Sequence, residues 1–188
     1  MHGFDQTTVA EIAQRAGLTE RTFFRHFTDK REVLFWGQGA LHDVFVSTVA
    51  TAPDSVAPID VIAAALVAVG DNFEERRHHS QQRQAVIAAN PGLQERELIK
   101  LASLAAAMAD ALRQRGVNEP AATLTAEAGI AVFKVAFERW LDDTNKRSLS
   151  RLIRESMDEL KAATAGEPSP AAQRPRRRAG HQSDGRRS

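Results

Sequence analysis

Apolar positions in this chain recur at intervals of three and four, and no segment sustains an alternation of period two. That periodicity predicts an all-α fold with no sheet. The first stripe is Val9, Ile12, Ala13 and Ala16, at i, i+3, i+4 and i+7, one face of an amphipathic helix. Thr8 and Glu11 precede and enter it with the spacing of a capping box, in which each side chain satisfies the other's free backbone amide. Gly17 predicts the stop, because glycine enters the left-handed C-cap conformation at low cost. Thr19 is the next N-cap candidate. Beyond it Phe23 and Phe27, four apart, face inward and leave Glu20, Arg21, Thr22, Phe24, Arg25 and His26 on the outward and flanking faces. Two short helices joined by a glycine turn, the second with a basic outer face, form the pattern of a helix-turn-helix.

Asp29 and Glu32 form another cap pair and predict a long helix through about Ala50, with Val33, Leu34, Leu41, Val44, Phe45 and Thr48 in its stripe. Gly37 and Gly39 interrupt it, either as a pliable joint or as a place where a neighbouring helix packs on bare backbone. Pro53 to Pro58 reads as a linker. Helices are then expected from Ile59 to about His79, Gln81 to Ala89, Leu93 to Arg115, Pro120 to about Leu141 and Leu149 to Ala163. From Gly166 the composition turns to Pro, Ala, Gly, Ser, Gln and Arg, too little apolar surface to offset ordering entropy. The expected organisation is a DNA-binding head over 1–36, a helical body over 37–165 and a basic tail over 166–188.

Composition narrows the function. The 188 residues carry a net charge of only +1, so any affinity for nucleic acid has to be local. There is no cysteine, which removes disulfides, thiol chemistry and cysteine-ligated metals. No apolar run reaches membrane-spanning length, and a cytoplasmic location is expected. Asp71, Glu74 and His78 have a spacing that could hold a divalent cation on one helix face, although surface ion-pair partners show the same spacing. No Ser/His/Asp set, lysine–carboxylate set or glycine-rich phosphate loop emerges. The reading is therefore of a protein that is not an enzyme and needs no cofactor or metal.

The chemistry concentrates on the second short helix. Arg21 and Arg25 lie one turn apart on its outer face, and an arginine fork matches the O6 and N7 acceptors of guanine. Thr22, His26 and Lys30 suit phosphate oxygens, which set register without reading sequence. The string Gly3-Phe4-Asp5-Gln6-Thr7-Thr8-Val9-Ala10-Glu11-Ile12-Ala13, then Ala16-Gly17-Leu18-Thr19, then Thr22-Phe23-Phe24-Arg25-His26-Phe27 and Lys30 resembles the DNA-binding signature of TetR-family transcriptional regulators. The resemblance covers roughly the first forty residues and is specific in residue type and spacing.

It implies an all-helical homodimer on a palindromic double-stranded operator. Such a protein usually represses, and a small molecule entering the C-terminal domain releases it. It places Arg21, Thr22 and Arg25 in the groove, with Thr8, Thr19, Phe24, His26 and Lys30 at or near the backbone. Phe24 stands where the family usually has tyrosine. The family also has a helix before the Gly3-Phe4 turn that this sequence does not show, so a helical ligand-binding dimer with a defective head is the competing expectation.

Two surfaces of the body are expected to carry function. Phe137, Trp140, Leu141, Ile153, Met157 and Leu160 supply large apolar area for either a four-helix dimer interface or the protomer's own core. Alanines at 64, 65, 68, 102 and 105–107 leave room beside Leu66, Phe73, Leu101, Leu104, Met108 and Phe133, either as an apolar ligand cavity or as close helix packing. The segment Gln82 to Leu112 with Asn90-Pro91-Gly92-Leu93 and Arg96-Glu97, and the later Trp140-Leu141, is similar to the C-terminal domain of the branch that includes mycofactocin-type regulators, some responsive to fatty acyl-CoA. That resemblance implies an acyl chain among the leucines and Met108, with Arg76, Arg77, Arg83 or Arg96 near a phosphate.

Overall fold

The computed structural model describes residues 3–166, and every regular element among them is helical. The tail expected beyond this point lies outside the described residues. The head comprises a 3₁₀ turn at Phe4–Gln6, α1 (Val9–Arg15), α2 (Glu20–His26) and a second 3₁₀ segment, Lys30–Phe35. The body comprises α3 (Gln38–Thr51), α4 (Pro58–Asp71), a 3₁₀ turn at Glu74–Arg76, α5 (Arg77–Ala88), α6 (Pro91–Gln114), α7 (Ala121–Leu141) and α8 (Leu149–Thr164).

Two boundaries differ from the sequence reading, each for a local reason. The helix expected from Asp29 to Ala50 is two elements, because Gly37 adopts φ +98°, a left-handed conformation that an α-helix does not accommodate. Asp29 still acts as a cap, accepting from the amides of Arg31 and Glu32. The helix expected to reach His79 stops at Asp71, and the Asn72 side chain folds back on the Ala68 carbonyl at 2.9 Å. Chain direction changes there, and α5 begins at Arg77 rather than Gln81. Asp71, Glu74 and His78 thus lie on three separate elements, not one face, and Glu74 accepts from the Leu149 amide at 2.6 Å. Among the described residues no group of three such side chains could hold a metal ion.

The main core is built around α4, which packs against α8, α3 and α7, while α6 packs on α7 and α3. Val61, Ile62, Ala65, Leu66 and Val69 of α4 are all sealed. Small residues allow the helices to approach closely. A Cβ at Gly129 would lie 2.5 Å from Ile62 Cγ2 and 2.9 Å from Met108 Cε, and one at Gly70 would lie 3.0 Å from the Ser150 amide nitrogen. Arg115, at the end of α6, donates to the carbonyls of Val49, Ala52 and Pro53, closing the last turn of α3.

Those approaches place the residues of the expected pocket and dimer surface. Leu66 and Met108 are packed in the core, with Phe73, Leu101, Leu104 and Phe133 half-buried against it. The alanines that promised space are not alike, and Ala68 and Ala107 are half-buried. Ala65 and Ala105 are buried at close contacts, whereas Ala64, Ala102 and Ala106 face solvent. Two surface clefts, of about 410 and 220 Å³, are lined by other residues and take in none of the six.

Nor are Trp140, Ile153 and Met157 available to a partner. They are buried within the protomer, because α8 turns its apolar face onto α4 and α7. Phe137, Leu141 and Leu160 are half-buried against the same core. No helix among the described residues is long and apolar enough to cross a membrane.

Candidate nucleic-acid interface

The head is assembled by short-range hydrogen bonds. The Thr8 amide donates to Glu11 Oε2 at 2.7 Å and the Glu11 amide to Thr8 Oγ1 at 3.2 Å, so the capping box is formed on both sides. Gly17, at φ +70°, reverses the chain, and the Leu18 amide donates to the Ala13 carbonyl at 2.8 Å. Thr19 Oγ1 accepts from the Thr22 amide at 3.2 Å and lies 3.0 Å from Thr22 Oγ1. Both threonine hydroxyls serve the cap of α2 first, and Thr22 is half-buried.

Aromatic packing orients α2. Phe23 is sealed, with its ring centroid 5.1 Å from Phe27 and 5.5 Å from Phe24, edge-on to the latter. Arg21, Arg25 and His26 are consequently exposed, and Phe24 retains 54 % of its surface. Arg25 Nη2 lies 3.4 Å from His26 Nε2. Among the described residues neither arginine is paired with a carboxylate. An exposed helix face with two uncompensated guanidinium groups and a flat aromatic ring has the chemistry required for phosphates and base edges.

Lys30 has a different role from the one expected. Its Nζ donates to the carbonyls of Phe4, Asp5 and Thr7 at 2.9 to 3.0 Å and lies 4.7 Å from the centre of the Phe4 ring. An ammonium has three donors, and all three tie the entry turn to the segment after α2. Lys30 thus shapes the head from inside.

The sequence reading missed how the head is held on the body. Phe35 is buried with Ile87 and Leu93 in a small second core, flanked by Phe4, Leu34 and Val86. Arg83 of α5 donates to the Leu34 carbonyl at 2.6 Å and to Glu97 at 3.1 Å. Burial lowers the Arg83 pKa, with Glu97 opposing that shift. Glu32 accepts from Arg96, and Lys100 lies within 3.4 Å of its other oxygen. The partners are at least 49 residues apart in sequence along the Arg83–Leu34 contact, beyond the reach of helical spacing.

Asp29, which caps this segment, is pulled two ways. Burial raises its pKa, but hydrogen bonds from the Arg31 side chain and backbone outweigh that and keep it below the ordinary 3.8.

Comparison with known proteins agrees with this geometry. Residues 1–35 match the profile of bacterial regulatory proteins of the tetR family, and residues 56–165 match the MftR C-terminal domain. The chain is 29 % identical over 150 residues to a Mycobacterium tuberculosis protein described as the mycofactocin biosynthesis transcriptional regulator MftR. That alignment covers 76 % of this chain and 73 % of the relative. It is 34 % identical over 67 residues to the HTH-type transcriptional regulator TcmR of Streptomyces glaucescens, 36 % of this chain and 30 % of that one.

Two solved structures share the fold. The Thermus thermophilus FadR repressor, crystallised with lauroyl-CoA, aligns with a TM-score of 0.55 at 19 % identity, covering 89 % of each chain. A TetR-type regulator from Mesorhizobium loti aligns with a TM-score of 0.53 at 22 % identity, covering 86 % of this chain and 87 % of its own. With a TetR-type helix-turn-helix joined to an MftR-type helical body, the chain belongs to the TetR family of DNA-binding transcription regulators.

Proposed function

We propose that this regulator is a homodimeric repressor that places α2 in the major groove of a palindromic operator and lets go when a small apolar molecule binds the body. Arg21 and Arg25 contact base edges. Thr22 lies beside them, and Thr8, Thr19, Phe24 and His26 line the phosphate backbone. The observation that carries the reading is the exposed outer face of α2, fixed by the Thr19 cap and the buried Phe23 and leaving both guanidinium groups free of carboxylates.

A route for the signal is present. Arg83, Glu97, Arg96 and Lys100 belong to α5 and α6 and grip Leu34 and Glu32, so any shift of that hairpin is felt by the head. The MftR-like body and the acyl-CoA in the FadR neighbour are compatible with an acyl or similarly apolar effector. A second copy is expected to cover α7 rather than α8. Leu124, Ala131 and Val135 lie on one face of α7, and Leu124 is 65 % exposed, whereas the outer face of α8 carries Arg151, Arg154 and Asp158.

A gel shift on DNA from the regulator's own upstream region tests the docking. Arg21→Ala and Arg25→Ala should each lose about tenfold or more in preference for the operator over unrelated DNA, the scale of about 1–3 kcal/mol per bidentate contact. Lys30→Ala should instead lower the thermal stability of the head. Val135→Glu should sediment as a monomer and bind the palindrome weakly. Wild-type operator preference in both arginine variants would remove the proposed docking, and absence of any shift by the unaltered chain would favour a helical dimer without DNA function.

A further inference from the structure

Three large apolar side chains of the head stay exposed among the described residues: Leu18, Phe24 and Trp36. Leu18 sits in the turn before the Thr19 cap, and Trp36 lies beyond α2, its ring edge-on to Phe27 at 6.1 Å. Of the three, Phe24 belongs to α2 itself, and its ring keeps 54 % of its surface on the side that also exposes Arg21 and Arg25.

The ring is held from below. The sealed Phe23 ring meets it edge-on, with centroids 5.5 Å apart and 86° between the planes. Arg21 lies three residues earlier, so the two side chains are neighbours on the helix surface. Among the described residues no cation stacks on the Phe24 ring.

The chemistry open to an exposed phenyl is narrow. It neither donates nor accepts, so it makes no conventional hydrogen bond to a phosphate oxygen or to a polar base edge. In the major groove the bases present acceptors, amino donors and one apolar group, the C5-methyl of thymine. C5 lies on the edge of the pyrimidine nearest its own strand's backbone, so a ring that lines the backbone reaches the methyl.

We propose that Phe24 selects thymine, covering its C5-methyl with the phenyl ring while Arg21 or Arg25 reads a guanine of the same half-site. The proposal rests on the docking of α2 in the major groove and names a base to which that docking responds.

Replacing thymine by uracil removes this methyl and leaves the base pairing intact. The probe is the duplex from the regulator's own upstream region, copied once with thymidine triphosphate and once with deoxyuridine triphosphate. Wild type should bind the deoxyuridine duplex about fourfold more weakly for each methyl that is covered. Phe24→Ala should bind the two duplexes alike. Phe24→Tyr keeps the ring and should keep the difference. If Phe24→Ala does not fold, Phe24→Gln takes its place with the same expectation.

No methyl effect in wild type, or the same effect in wild type and in the variant without the ring, overturns the proposal. In the second case the methyl acts through duplex shape. Self-association without DNA that depends on Phe24 gives the ring to a second copy and overturns it too. If Arg21→Ala and Arg25→Ala lose operator preference while uracil has no effect, thymine selection fails and the docking stands. If the methyl effect requires Phe24 but neither arginine variant loses preference, the thymine contact stands and the arginine reading fails. A chain that shifts neither duplex removes both.

Discussion

The head and the body solve the problem of stability in opposite ways. The two helices of the head have seven residues each and bury one side chain apiece, Ala13 and Phe23. Helices that short do not persist alone in water. They are held by two threonine caps, a glycine reversal, the Lys30 clamp and a small core shared with α5 and α6. The body instead interlocks α4, α6, α7 and α8, its small residues letting the helices meet. A surface that must meet DNA is thus built from local bonds and borrowed contacts, leaving its outer face free, while the body closes most of its large apolar side chains into one core and leaves Leu98, Ile99, Leu124 and Val135 exposed.

The comparison can be broken most directly at Phe35. Phe35→Ala should remove about 3–5 kcal/mol from the small core. If the head depends on that core, hydrogen exchange will rise across residues 3–35 and operator binding will fall, with the slow amides of α4 and α7 unchanged. Loss of protection in both regions together would show a single cooperative unit instead.

Gly129→Ala probes the other side. Alanine gains about 1 kcal/mol in helix propensity, but its Cβ would lie 2.5 Å from the fully buried Ile62, and overpacking costs about 1–3 kcal/mol. The expected net effect is a melting temperature a few degrees lower, with the head's exchange pattern retained. A rise in melting temperature would mean that the helices yield easily at this contact.

The smallest expected effect is in acid. The folded Asp29 carboxyl titrates below its unfolded value of 3.8. Its stabilisation of the second 3₁₀ segment is therefore complete above that value and is lost as the pH falls through the folded pKa. Head exchange compared between wild type and Asp29→Asn should differ at neutral pH and converge below 3.8. A constant difference across that range would assign the cap's effect to something other than its charge.

The head was legible because its determinants lie within a few residues of one another. Thr8 with Glu11, Gly17, and Thr19 with Thr22 each act across one helical turn, and periodicity placed Phe23 inward. The Lys30 clamp was not foreseen because it depends on carbonyls 23 to 26 residues earlier, and a lysine beside a basic helix carries no local mark of such a contact. The break after Asp71 had only the run Gly70-Asp71-Asn72 to announce it. In the body, composition showed correctly that large apolar and alanine-rich faces exist, but it could not rank their partners. Phe73 and Phe133, expected to line a pocket, and Phe137 and Trp140, expected at a dimer surface, form one aromatic cluster.

The sequence alone determined the all-helical class, the helix-turn-helix and the outward arginines, because capping, glycine reversal and helical period are short-range properties of the chain. Tertiary structure decided which apolar faces are consumed internally and how the head is fastened to α5 and α6. Those outcomes depend on distances between segments far apart in sequence, and helix packing sets those distances.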